Sequence, residues 1–180
     1  LRISLDLDGV LADTIRLWLD LYREQTGRRL SKEEVNDWDF WRRLGFTERE
    51  FYESFMGVWR HWERIPPTEP DLAGKVAALR RLGVVDIVTV REPETVKAAK
   101  AWLNRQGVIY QRLVVVPPPR SKVDYPYDVY IDDSPNVVLE AVRRGRRALL
   151  YVQPWNHRVP DGAGVVRVKS LKEAVEALSP

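Results

Sequence analysis

Apolar residues along this chain recur with two different periods, and the switches between them mark out alternating elements. Leu1, Ile3 and Leu5 open a strand over about residues 2–7. Ile15, Trp18, Leu19 and Tyr22 then form one apolar face, predicting a helix over about 14–26 with Asp13 as N-cap and Gly27 as stop. Ser31 with Glu34, and Thr47 with Glu50, have capping-box spacing, so about 31–62 reads as short helices with no strand among them. Ile65-Pro66-Pro67-Thr68-Glu69-Pro70 is a stiff linker. Beyond it a helix over about 71–82 ends at Gly83, and a strand follows at about 84–90. Pro93 opens a helix that ends near Gly107, and Leu113–Val116 is an apolar run suited to burial on both faces. A strand over about 128–132 runs into a helix started by Ser134 and Pro135. Strands near 147–152 and 165–168 and a last helix capped by Ser170 complete the chain. Alternation of this kind predicts an α/β fold, a Rossmann-like doubly wound parallel sheet built from about 1–14 and 71–180. The strandless piece at about 15–70 is a small helical insertion in it.

Charge enters the picture at two strand ends. Asp6-Leu7-Asp8-Gly9 follows the first strand directly, and Asp132-Asp133 follows Val129-Tyr130-Ile131. Open parallel sheets bind ligands at the carboxyl ends of their strands. Two acid-tipped strands side by side would gather four carboxylates, tolerable only around a cation, and all-oxygen ligation suits magnesium. A calcium loop or plain helix capping is the alternative, and the strand-tip setting fits neither.

Composition narrows the class further. With 180 residues, 44% hydrophobic and 31% charged, the chain suits a globular protein of one domain or a domain with an insertion. No apolar stretch approaches membrane-spanning length and no basic-then-apolar leader opens the sequence, so the expectation is a cytoplasmic protein without a membrane partner. Cysteine is absent, which removes disulfides and thiolate metal ligands together. A net charge of +3 invites a nucleic-acid reading. Its tightest basic cluster, Arg143, Arg144, Arg146 and Arg147, lies at a helix end where cations favour the dipole, which argues for a solvated surface instead.

Four stations taken in order resemble the haloacid dehalogenase (HAD) superfamily of phosphohydrolases. Asp6 and Asp8 match the first, and Ile87-Val88-Thr89 at a strand end the second. Lys122 in the loop before the acid-tipped strand matches the third, and Asp132-Asp133 the fourth. An insertion between the first and second stations resembles that superfamily's small helical cap. Asp6 through Asp13, Ile131-Asp132-Asp133-Ser134-Pro135 and Gln153-Pro154-Trp155-Asn156 are similar, more narrowly, to the 5'-deoxynucleotidase family. The approach to the lysine, Pro117-Pro118-Pro119-Arg120-Ser121-Lys122, departs from that family's pattern.

The resemblance implies a magnesium-dependent phosphomonoesterase acting on a small phosphorylated substrate such as a nucleoside monophosphate. Asp6 would be the nucleophile and Asp8 the acid and base, with Asp6, Asp8, Asp132 and Asp133 grouped around Mg2+. Thr89, Arg91 and Lys122 would bind the phosphoryl group. Asp13 is most simply an N-cap. In the insertion, Trp38 and Trp41, with Trp155 from the late loop, are candidate substrate contacts. The aromatics crowded there serve equally well as the core of so small a unit, and that is the favoured reading. A sugar-phosphate or broad-range phosphatase is the rival enzyme, and a non-catalytic effector- or nucleic-acid-binding module the rival class. Oligomeric state is left open by the sequence.

Overall fold

Six strands, each short and apolar enough to be covered on both faces, form one fully parallel sheet in the computed structural model, which describes residues 1–180. They are β1 (Arg2–Leu5), β2 (Val84–Val90), β3 (Leu113–Val116), β4 (Val129–Asp132), β5 (Arg147–Tyr151) and β6 (Val165–Val168), in the spatial order β3-β2-β1-β4-β5-β6. Leu5 lies opposite Ile87 on one side and Ile131 on the other. The order turns between β1 and β4, so their carboxyl ends flank the crevice where such sheets take ligands.

Alternation along the strands sorts side chains between two cores of unequal size. Ile3, Leu5, Ile87, Val129, Ile131 and Leu149 join a cluster of 36 buried residues, while Val88, Tyr130, Ala148 and Leu150 join one of 10. Helices α1 (Thr14–Thr26), α3 (Leu72–Leu82), α4 (Val96–Arg105) and α6 (Leu171–Leu178) feed the larger face. Helix α5 (Pro135–Arg143) covers the smaller one through Val138 and Ala141. The doubly wound α/β arrangement is therefore as expected.

Boundaries differ only at element ends. β1 closes at Leu5, and the helix opened by Pro93 begins as a single 3-10 turn, Pro93–Thr95, before α4 proper. Asp13 precedes α1 but makes no capping hydrogen bond. Its ψ of 63° lies outside the extended region that aims a cap at the first turn, and its carboxylate meets Arg16 Nε at 3.2 Å and Lys32 Nζ at 3.0 Å instead.

Between α1 and α3 lie 3-10 turns at Lys32–Glu34, Phe40–Leu44 and Val58–Arg64, together with α2 (Glu48–Gly57). Both capping boxes close: Ser31 N donates to Glu34 at 2.7 Å and Thr47 N to Glu50 at 2.8 Å. Aromatic rings fill the space between this segment and α1. Trp18 stacks on Tyr22, meets Phe40 edge-on at 5.6 Å, and donates its indole N–H to Ser54 Oγ at 2.8 Å. The two ends of the segment lie side by side, with Ala12 bridged to Pro67, Asp13 N donating to Pro66 O, and Thr68 N to Leu11 O.

Candidate active site

Past β1 the chain keeps one more sheet contact, Asp6 N to Ile131 O at 3.0 Å, and then turns tightly through Leu7-Asp8-Gly9. Gly9 is required here on two counts. Its φ is +89°, and a Cβ on it would stand 2.2 Å from Asp133 Oδ2. The β1 loop and the β4 tip are thus pressed together with no room for a side chain between them. Asp132 ends β4, and its Oδ1 accepts from Ser134 N at 2.9 Å while Ser134 caps α5.

A third loop locks the junction. Gln153 Nε2 donates to Gly9 O at 2.7 Å, and Trp155 Nε1 donates to Asp133 Oδ2 at 2.8 Å. Asn156 Nδ2 bridges Asp133 O and Tyr151 O at 2.9 and 2.8 Å. Trp155 was expected to contact substrate; its polar edge is instead committed to an acid of the cluster.

Asp6, Asp132 and Asp133 offer carboxylate oxygens all within 4.8 Å of one another, and all three residues are buried. One cation faces them. Lys122 Nζ donates to Asp6 Oδ1 at 2.5 Å and to Asp132 Oδ2 at 2.7 Å. Burial and the neighbouring Asp132 push the Asp6 carboxyl up to about 7 despite Lys122. Burial, with Asp6 and Asp132 beside it, also raises Asp133 well above the usual carboxylate range. Burial alone would lower Lys122, but Asp132 and Asp6 outweigh it and hold the ammonium charged above its ordinary range. Three acids against one ammonium cannot all ionise unless further positive charge joins them, and their oxygens are hard donors. That donor set fits a divalent ion such as Mg2+, with Asp6, Asp132 and Asp133 able to hold it.

Asp8 was expected in the same group, but its side chain faces the other way. Thr14 Oγ1 and Trp59 Nε1 donate to its Oδ1 at 2.7 and 2.9 Å, and Arg91 Nη2 to its Oδ2 at 2.6 Å. Thr89 is buried beside them, its hydroxyl accepting from Arg91 Nε at 3.3 Å. Arg91 was expected to hold phosphate. It is fully buried, paired with Asp8, and lies over the Trp59 ring at 4.4 Å.

A cleft of about 1690 Å³ opens beside Trp59, between α2 and the 3-10 turn after it on one wall and the loop after β2 and the start of α4 on the other. Tyr52, Met56, Trp59 and Trp62 line the first wall, Glu92 and Thr95 the second. Trp38 and Trp41 do not reach it: Trp41 stacks with Phe51 in the aromatic core, and Trp38 is exposed elsewhere. The sequence carried no signal picking Trp59 and Tyr52 out of the other aromatics, because their selection depends on where the insertion folds back.

A parallel sheet in this order, with buried acids at the tips of adjacent central strands and a lysine reaching between them, is the architecture of a HAD-type phosphatase. Comparison with known proteins agrees and goes further. The family described as "5' nucleotidase, deoxy (Pyrimidine), cytosolic type C" matches residues 1–178, and the chain belongs to it. A protein of Halalkalibacterium halodurans, provisionally named a nucleotidase, is 25% identical over 96% of this chain and 90% of its own length. Among solved structures, a haloacid dehalogenase-like hydrolase from Streptococcus pneumoniae superposes with a TM-score of 0.70 at 13% identity, covering 99% of this chain and 98% of that one. Protein Tyrosine Kinase A of Mycobacterium tuberculosis does so with 0.71 at 16%, at the same coverage. At such identities these two likenesses concern the fold alone. No helix is long and apolar enough to cross a membrane.

Proposed function

We propose that this protein is a magnesium-dependent 5'-nucleotidase that works through a phosphorylated Asp6. The observation that carries the reading is the pairing of Lys122 with Asp6 Oδ1, which leaves Asp6 Oδ2 with no protein donor beside a buried acid cluster. Magnesium, held by Asp6, Asp132 and Asp133, would draw charge from the phosphoryl oxygens. Asp6 Oδ2 forms a bond to phosphorus as the ester P–O bond breaks, splitting one hard displacement into two easier ones. Asp8 passes a proton to the departing alkoxide, then takes one from the water that cleaves the acyl phosphate, a role worth about 10²–10⁴-fold in rate. Lys122 offsets the charge carried on Asp6 and on the phosphoryl group.

Residues 15–70 read as a cap over a core of 1–14 and 71–180, and the cleft between them supports this, since its walls come from both. Tyr52 and Trp62 there suit a nucleobase, and the family's description supports a deoxypyrimidine 5'-monophosphate and a cytosolic setting. Initial rates of phosphate release with magnesium, across nucleoside 5'-monophosphates, sugar phosphates and other small phosphoesters, test this. A preference for a few deoxynucleotides is expected. A flat profile, or one led by sugar phosphates, would reject the nucleotide assignment and keep the hydrolase.

A further inference from the structure

We propose that Glu140 and Arg144 are positioning residues that fasten the turn carrying Lys122 to α5, so that the ammonium stays on the acid cluster. The inference rests on the proposed role of Lys122 in offsetting charge on Asp6 and the phosphoryl group.

The chain leading to Lys122 is poorly equipped to hold it. Pro117, Pro118, Pro119 and Arg120 are exposed and lie outside helix and strand, and the three prolines have no backbone N–H to donate. Lys122 is nevertheless buried, its ammonium 2.5 Å from Asp6 Oδ1 and 2.7 Å from Asp132 Oδ2. A long flexible side chain keeps such a place only if the backbone beneath it is fixed. The 3-10 turn Lys122–Asp124 closes locally, with Val123 N donating to Ser121 Oγ at 3.2 Å and Ser121 N to Asp124 Oδ2 at 3.3 Å. Those two bonds shape the turn without tying it to another element. Glu140 and Arg144 supply the tie. Ser121 Oγ donates to Glu140 Oε2 at 2.7 Å, Arg144 Nη1 to Val123 O at 3.1 Å, and Arg144 Nη2 to Asp124 Oδ1 at 3.1 Å. Arg144 Nη2 also donates to Glu140 Oε1, so the two side chains brace one another a helical turn apart. The chain on either side of Lys122 is thus held from the end of α5. That helix starts at Pro135, directly after the acids at the tip of β4. One rigid element therefore sets both the place of Asp132 and the place of the ammonium that meets it. A lone surface ion pair is worth little, but these contacts form a network around one lysine, and one of them reaches a backbone carbonyl. Arg143, beside Arg144 in the basic cluster, is exposed and makes no hydrogen bond or ion pair with the turn.

Amine labelling and kinetics test the anchor together. Arg144→Met removes the guanidinium and keeps much of the apolar stem, while Arg143→Met removes the same charge next to it. With acetic anhydride, read by peptide mass spectrometry, Lys122 should label about tenfold faster in Arg144→Met than in the wild type. Lys75 of α3, held by Glu69 and by Pro70 O, should label at an unchanged rate. For a nucleoside 5'-monophosphate, kcat/KM should fall about tenfold in Arg144→Met and less than about twofold in Arg143→Met. Glu140→Ala should follow Arg144→Met on both readouts. In a Lys122→Met background the loss from Arg144→Met should vanish, because a residue acting through Lys122 then has nothing left to position. Lys122 labelling at the wild-type rate, a rise shared by Lys75, equal losses in the two arginine variants, or a loss that persists without Lys122 would overturn the anchor. If Lys122→Met itself leaves turnover unchanged, the proposed role of Lys122 falls, and the labelling alone judges the anchor.

Discussion

Raising the pH of the metal-free protein should destabilise it, and magnesium should abolish the effect. In the folded chain the Asp6 carboxyl is pushed from 3.8 to about 7 by burial and by Asp132. The sign follows from which state holds the proton. Below the unfolded value both states carry it and nothing is lost; above that value the unfolded chain ionises first, so stability drains away until the folded carboxyl ionises as well. The loss therefore accumulates between about pH 4 and about pH 7 and then levels off. Roughly three pH units at about 1.4 kcal/mol each give about 4 kcal/mol from Asp6 alone. Asp133, raised in the same direction, adds to this. For a chain of this size that is a fall of roughly 8–16 °C in melting temperature. Bound magnesium replaces the proton as the partner of these acids, so the gain in melting temperature on adding it should be small near pH 5 and large near pH 8. Scanning calorimetry with chelator and with excess magnesium, over that range, measures both slopes. A metal-free melting temperature that is flat or rises over that range, or a magnesium increment equal at every pH, would refute the electrostatic account of the cluster. Asp6→Asn should flatten the metal-free slope.

The same residues carry further expectations. Asp6→Asn should lower turnover by at least about a thousandfold while leaving the fold intact, read by phosphate release and circular dichroism. Asp132→Asn should raise the magnesium concentration for half-maximal rate by about 10–100-fold, and an unchanged requirement would remove Asp132 from the metal. Gly9→Ala must accommodate a Cβ placed 2.2 Å from Asp133 Oδ2 at a φ of +89°, so it should cost at least about 2 kcal/mol in denaturant unfolding and weaken magnesium binding as well.

Much of this fold was legible because parallel strands covered on both faces leave a plain trace. Val84–Val90, Leu113–Val116 and Val165–Val168 are continuous or nearly continuous apolar runs, and their observed bounds coincide with the expected ones. Acids at the tips of β1 and β4 were equally plain, because a carboxylate directly after such a run has few structural uses. Long-range side-chain pairing left no such trace. Gln153 reaches Gly9 across 144 residues, and Trp59 reaches Asp8 across 51. Nothing local to Gln153 or Trp59 announces those partners, and Trp38, Trp41 and Trp155 are chemically as suited to a cleft as Trp59. Arg91 is a related case, since nothing local to an arginine after a strand announces that it will be fully buried and paired with Asp8. Asp13 shows the local limit, since capping depends on a backbone angle that residue type does not determine.

The loop from Gln153 to Asn156 makes the acid cluster depend on chain that is synthesised late. Asp6 leaves the ribosome long before residues 153–156, yet the backbone turn that follows it and the acid opposite it are both tied down by side chains of that later loop. A nascent chain that has exposed its nucleophile but not yet residue 156 lacks the ties that hold the acid pair together. The cluster is therefore held in its final form only once residues 153–156 have been made and have folded back, and a product terminated before β5 would carry the acids without these ties.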